Sequence, residues 1–308
     1  MTTGIAAIEA RDVTRRFGTM TAVNRLTVAV KPGEIFALVG PDGAGKTTVM
    51  RLICGALAID EGSLLVDGVD VVADTARVQG AIGYMPQRFS LYPDLSVIEN
   101  LRFYGDIFGV SSRQFDRRST ELLDDFALSR FESRLAEELS GGMKQKLALA
   151  CTLIHNPPTV LLDEPTAGVD PVSRREFWKI LYGINRAGTT IFVTTPYMDE
   201  AERATRVGFI MRGSLVDCGR PEDLKSALRG DVIEIACRDR AGARRILRDD
   251  SIVRSVEILG ETLHALVDSA DEAIPRIRRR LTDGAIPDAS LRKISPTLED
   301  AFVARLMA

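Results

Sequence analysis

Nine residues carry the clearest chemistry in the chain. Gly40-Pro41-Asp42-Gly43-Ala44-Gly45-Lys46-Thr47-Thr48 has the spacing G-x-x-x-x-G-K-T of a phosphate-binding loop. Glycines let the backbone wrap close to phosphate oxygens. Amides at a helix start then present partial positive charge to the anion. In this pattern Lys46 reaches the β- and γ-phosphates and the Thr47 hydroxyl binds Mg²⁺. The competing reading is a glycine-rich turn that ends in a solvated lysine. The flanks favour the first: Glu34 to Val39 is an apolar run of strand length, and Thr47 to Leu57 reads as a helix. ATP or GTP binding is therefore expected, although the loop alone does not say what the nucleotide is for.

Two further stretches suit phosphate chemistry. In Thr159-Val160-Leu161-Leu162-Asp163-Glu164-Pro165 a buried strand is expected to end on two carboxylates. Asp163 at the strand tip can hold Mg²⁺ through water, and Glu164, pointing the other way, can orient or deprotonate an attacking water. A solvated turn is the alternative. Leu139-Ser140-Gly141-Gly142-Met143-Lys144-Gln145-Lys146 opens an apolar helix to about Ile154, with Ser140 as N-cap. Two glycines there leave amides uncovered, either as a second phosphate cradle or as an ordinary capped helix start. Phe17, in the expected loop Arg16-Phe17-Gly18, either stacks on a purine or plugs a local core. Gln87 ends the strand-like Ala81 to Pro86.

The elements that must position these residues alternate between strand and helix. Strand-like runs are expected at 5–10, 26–30, 34–39, 62–66, 81–86, 159–162 and 189–194. Residues 94–137 carry apolar positions at helical spacing, which places a helical insertion at about 88–155. A helix follows at about 171–187, and two small strands lie around Met211-Arg212-Gly213-Ser214. Arg229-Gly230-Asp231 reads as a boundary, giving domains 1–229 and 230–308. The second has the rhythm β-α-β-β-α-β with a tail helix, expected as a small α+β ferredoxin-like domain. Its run Arg276-Ile277-Arg278-Arg279-Arg280 reads as a solvated helix face.

Composition narrows the function class. The 308 residues are 45% hydrophobic and 27% charged, as in a soluble globular protein, with material for two cores. No run approaches the roughly 20 apolar residues of a membrane-spanning helix. The first residues show no secretory pattern. A net charge of −3 gives no electrostatic case for nucleic acid as a partner. Cys54, Cys151, Cys218 and Cys237 form no CxxC pair, so reduced, mostly buried thiols are expected, and with two histidines a zinc site is not.

In this order the motifs resemble the ATP-binding subunits of ATP-binding-cassette (ABC) transporters, over about residues 5–228. The carriers are the aromatic loop at Phe17, Walker A at 40–48, a Q-loop at Gln87, the signature LSGGMKQK at 139–146, Walker B with its glutamate at 159–164, and a D-loop at Gly168-Val169-Asp170. Residues 85–92, 197–202 and 296–302 resemble more closely the ATPases of ABC-2-type exporters, including drug-resistance pumps. The resemblance implies a P-loop cassette with a mixed sheet core, an antiparallel β subdomain and a helical insertion. It implies two cassettes, as homodimer or heterodimer, sandwiching two ATPs between Walker A of one copy and Ser140, Gly141 and Gly142 of the other. Phe17 would stack on adenine, Gln87 and Asp163 would complete the Mg²⁺ and water shell, and Glu164 would act as base. A separate ABC-2-type membrane permease would be the partner, its coupling helix received near Phe89 to Tyr92, with the chain peripheral on the cytoplasmic face of the membrane. One residue departs from the family. A histidine is expected after the strand at 189–194, and Pro196 stands there. Proline has neither a side-chain donor nor a backbone N–H. This departure implies slow hydrolysis, or help from a neighbouring hydroxyl or a partner cassette. It keeps open a second reading, a soluble or regulatory ABC ATPase.

Overall fold

A computed structural model describes residues 6–88 and 91–307. They form two compact units, Met1–Cys218 and Gly219–Ala308.

The first unit opens with a hairpin of β1 (Ile8–Phe17) and β2 (Met20–Val30), then enters β3 (Ile35–Val39) and helix α1 (Lys46–Ile53). Next come β4 (Glu61–Val66), β5 (Val69–Asp70), α2 (Thr75–Ala81) and β6 (Ile82–Met85). The helical insertion supplies α3 (Val97–Ile107), α4 (Ser112–Asp125) and α5 (Gly141–Leu153). The chain returns through β7 (Thr159–Asp163), α6 (Pro171–Arg186), β8 (Thr190–Thr195), α7 (Met198–Ala201), β9 (Arg206–Met211) and β10 (Ser214–Gly219). Two sheets result, an antiparallel one ordered β2-β1-β4-β5 and a six-stranded one ordered β10-β9-β3-β8-β7-β6.

Every residue of β3, β7 and β8 is buried. Their sequences are nearly continuous apolar runs, as a parallel sheet covered on both faces requires. Phe36 on β3 and Phe192 on β8 meet with ring centroids 5.1 Å apart. Burying rings and branched side chains of this size stabilises by about 1.5–3 kcal/mol each. The parallel register sets Val39 beside Thr195, Asp163 beside Thr194, and Met85 beside Leu162. The carboxyl ends of β3, β8, β7 and β6 therefore lie in a row, the end of such a sheet where ligands bind.

The structure differs from the sequence reading in three places. The expected loop at Arg16-Phe17-Gly18 is mostly strand: β1 runs through Phe17, which pairs with Met20. The run of charged residues hid it, because β1 bulges between Ala10 and Val13 and exposes Arg11, Asp12, Arg16 and Phe17. The expected helical stretch at 94–137 is interrupted. Helix α3 stops before Gly109, whose φ is 67°, and Ser111 caps α4 through a reciprocal pair with Gln114. The compact units divide at Cys218 and Gly219 rather than after Arg229, since α8 (Pro221–Ser226) packs against the tail helix of the second unit. Ile5, with which the first expected strand begins, lies outside the described residues.

The second unit continues with β11 (Asp231–Ala236), α9 (Arg240–Arg248), β12 (Val253–Leu259), β13 (Thr262–Val267), α10 (Ala270–Asp283), β14 (Ser290–Ile294) and α11 (Leu298–Met307). Its four strands pair antiparallel in the order β12-β13-β11-β14. Ile233, Ile235, Leu263 and Val267 face Leu247, Ile277 and Leu281 in its core. His264 Nδ1 lies 2.9 Å from Asp300 Oδ1, tying α11 to the sheet. Arg276 and Arg280 of the basic run both reach the buried Asp250, while Arg278 and Arg279 are exposed.

Candidate functional site

The loop between β3 and α1 is shaped by close backbone contacts. A Cβ on Gly40 would fall 2.2 Å from the Ile210 carbonyl oxygen, and one on Gly45 would fall 2.5 Å from that of Ala22. Gly43 and Gly45 have φ of 77° and 106°, conformations that strain any residue with a side chain. Gly45 caps α1 in the left-handed region, and Lys46 is the first helical residue.

Lys46 is 4% exposed and has four oxygens around its ammonium. Nζ donates to the Gly40 carbonyl at 2.9 Å and to that of Pro41 at 3.2 Å. Glu164 Oε1 lies 3.1 Å away and Asp42 Oδ1 3.8 Å away. Gln87 Nε2 donates to the other oxygen of Glu164 at 2.9 Å. Three residues from three strand ends thus form one chain of contacts, Lys46 to Glu164 to Gln87.

The two carboxylates at the end of β7 lie in different surroundings, Asp163 as its last strand residue and Glu164 just beyond it. Asp163 is 1% exposed, and its Oδ1 accepts from the Thr194 hydroxyl at 2.6 Å. Its Oδ2 is buried with no partner. Glu164 sits at φ 49°, an uncommon conformation for a residue other than glycine. Its amide donates to the Thr194 carbonyl at 3.1 Å and to the Thr194 hydroxyl at 3.0 Å, which pins the strained residue.

Lys46, Gln87 and Glu164 line a cavity of about 770 Å³. The loop also supplies Asp42, Gly43, Gly45, Thr47 and Thr48 to its wall. Phe17 and Met20, 41% and 62% exposed, line the same cavity with Thr21 and Ala22. The Arg15 guanidinium covers the Phe17 ring at 4.8 Å from its centroid. Of the two open readings for Phe17, the core plug fails, because a plug would be buried. Gly40, Pro41 and Ala44 hold the loop with their carbonyls and do not face the cavity. Ser140, Gly141 and Gly142 are absent from its wall. They open α5, where the Ser140 hydroxyl accepts from the Met143 amide at 3.3 Å and a Cβ on Gly141 would meet open space.

Pro196 lines the cavity beside Tyr197. The hydroxyls before it are already engaged. Thr194 serves Asp163 and Glu164, as above. Thr195 donates to Glu200 Oε2 at 2.8 Å and accepts from the Tyr197 amide at 3.0 Å. Both threonines are buried, and so is Glu200, which also meets Thr166 and Arg174. Neither threonine hydroxyl replaces a histidine side chain in the cavity.

Sequence reading missed Met20, Thr21, Ala22, Tyr197, Arg212 and Gly213 as wall residues. Only the short Arg212-Gly213 turn gave a local signal, and its nearness to the loop arises from the sheet order. Burial pushes all four thiols above the ordinary cysteine range, so they are poor nucleophiles.

The donor set suits Mg²⁺. Thr47 offers a hydroxyl, Gln87 an amide oxygen and Asp163 a buried carboxylate oxygen without a partner, all hard oxygen ligands. The expected coupling surface near Phe89 to Tyr92 is described only in part, since Phe89 and Ser90 lie outside the described residues. Tyr92 packs on Phe103 with centroids 4.4 Å apart and is clasped by Asn100.

The family model described as ABC transporter matches residues 23–167. Nod factor export ATP-binding protein I of Rhizobium etli is 38% identical over 306 residues, covering 97% of this chain and 93% of the relative. The probable multidrug ABC transporter ATP-binding protein YbhF of Escherichia coli is 43% identical over 230 residues, 75% of this chain. This chain spans 40% of the length of that relative. Among solved structures, the ATP-binding cassette MJ0796, in a dimeric post-hydrolysis state bound to ADP and Pi, superposes with a TM-score of 0.62 at 26% identity. The match covers 69% of this chain and 98% of that one.

Proposed function

This chain belongs to the ATP-binding subunits of ABC transporters, and we propose that it binds and hydrolyses ATP to power export through a separate ABC-2-type permease. The observation that carries the reading is the contact chain of Lys46, Glu164 and Gln87 in the wall of a cavity that the exposed Phe17 also lines. An adenine stacked on Phe17 and a triphosphate on the loop would share that cavity. A relative named for Nod factor export and another named as a multidrug ABC transporter ATP-binding protein support the direction of transport. Among the described residues no helix is long and apolar enough to cross a membrane.

In this reading the loop amides and the α1 N-terminus hold the phosphates. Lys46 exchanges Glu164 for the β- and γ-phosphate oxygens. Glu164, released from the ammonium, takes the proton of the attacking water, and Gln87 keeps that carboxylate oriented. Thr47 and Gln87, with Asp163 through water, would hold Mg²⁺, which would supply positive charge against the charge developing on the phosphates. Asp163 keeps one oxygen for that task because Thr194 engages only the other. Ser140, Gly141 and Gly142, absent from the chain's own cavity, complete the site of a second cassette, this chain or a relative. The open α5 N-terminus suits that use. Pro196 provides no donor to the γ-phosphate, so turnover is slow.

A second reading, a mainly regulatory nucleotide-binding subunit, rests on the same proline and on the engaged hydroxyls of Thr194 and Thr195. The test is ATP binding and steady-state hydrolysis by the purified chain, with Glu164→Gln as control, followed by co-purification with a membrane subunit. Hydrolysis abolished by the control, together with a captured permease, is the expected result. ATP binding without hydrolysis, in the presence of that permease, selects the regulatory reading.

A further inference from the structure

Arg212 belongs to no motif, yet its side chain is part of the nucleotide cavity wall. It occupies the first position of the two-residue turn between β9 and β10, with Gly213 second. Their φ angles are 48° and 80°. Turns with two positive φ values favour Asn-Gly or Asp-Gly, and the left-handed region is unfavourable for a residue with a long side chain. An arginine here is locally unfavourable, and none of the described contacts offsets it: Arg212 is exposed and has no ion pair or hydrogen bond among the described residues.

The turn itself is fixed. The Gly213 amide donates to the Ala44 carbonyl at 2.9 Å, and the Gly213 carbonyl accepts from the Asn24 amide at 2.8 Å. A Cβ on Gly213 would fall 2.7 Å from the Ala22 oxygen. Arg212 is thereby held between the wall that carries Phe17 and Met20 and the loop that carries Lys46. A nucleotide laid from Phe17 to Lys46 places its ribose and α-phosphate across that gap.

We infer that Arg212 is a nucleotide-binding residue whose guanidinium pairs with the α-phosphate. The inference rests on the proposed ATP-binding role of the cavity. A charge-assisted hydrogen bond to phosphate is roughly twice as strong as a neutral one. Arginine suits the task because it forks onto two phosphate oxygens, and lysine retains the charge without the fork.

The test is equilibrium binding of ATP and ADP to the full chain, with Arg212→Asn, Arg212→Lys and Lys46→Ala. Asparagine suits the turn, so Arg212→Asn should keep or raise Tm. It should weaken ATP and ADP alike, by about tenfold or more. Arg212→Lys should recover most of the affinity, and the salt dependence of ADP binding should be shallower in Arg212→Asn than in wild type. Unchanged affinity in a stably folded Arg212→Asn overturns the inference. So does a loss confined to ATP, which would place the contact on the γ-phosphate. Failure of the parent reading looks different: wild type binds neither nucleotide, and Lys46→Ala changes nothing.

Discussion

Glu164 Oε1 lies 3.1 Å from Lys46 Nζ, so the carboxylate placed to act as base is held by the ammonium placed to grip phosphate. The two tasks exclude each other until a phosphate takes the ammonium. Glu164→Gln removes one partner and relaxes that competition. The expected outcome is unchanged or tighter ATP binding with turnover lowered by about a hundredfold or more. Isothermal titration and a phosphate-release assay measure the two effects. Weaker ATP binding would contradict the competition.

Pro196 lines the cavity without a donor of its own, and the Thr194 and Thr195 hydroxyls are already engaged. Restoring a donor should matter. Pro196→His is expected to raise steady-state turnover by up to about a hundredfold to a thousandfold, the range for one well-placed donor to a developing oxyanion. Wild type already at ordinary turnover, with no gain in the variant, would refute this account.

Phe17 is 41% exposed and packs under Arg15, so it contributes little to the core. Phe17→Ala should leave Tm within a few degrees. Stacking of a base on an aromatic ring contributes about 1–3 kcal/mol, so ATP affinity should fall by about fivefold to a hundredfold. Phe17→Tyr should restore it. A triphosphate that lacks a base should bind both proteins equally.

His264 and Asp300 make the second unit pH-sensitive. The hydrogen bond to Asp300 raises the His264 pKa above its ordinary value, against the effect of burial, with Glu234 and Glu299 adding to the rise. Burial pushes Asp300 upward, but its bonds with His264 and Thr297 outweigh that and hold it low. The histidine contribution is therefore complete below the ordinary histidine pKa and is lost as pH rises through the raised one. The aspartate contribution is present above the ordinary carboxylate pKa and is lost as pH falls through the lowered one. Hydrogen exchange of α11, corrected for intrinsic rate, should show protection falling as pH rises above the ordinary histidine range. Asp300→Asn should flatten that dependence.

Much of the site was legible because phosphate chemistry needs residue types at fixed local spacing. Gly40 to Thr48 and Asp163-Glu164 announce themselves in this way, and the covered parallel strands before them are nearly all apolar. What spacing does not carry is tertiary. Thr194 and Thr195 look like ordinary strand residues until Asp163 and Glu200 are set beside them. The length of β1 was hidden by its exposed charged face. Arg212 reads as a turn residue, and only the adjacency of β9 to β3 brings it to the cavity.

The β9–β10 hairpin has a mechanical meaning as well. Its turn abuts Ala22 and the phosphate loop at Ala44, and β10 runs from that turn to Gly219, where the chain passes into the second unit. Added carbons on Gly213 and Gly45 would both strike the same Ala22 oxygen. Bulk introduced at either glycine therefore disturbs the hairpin turn and the phosphate loop together, through one shared backbone atom.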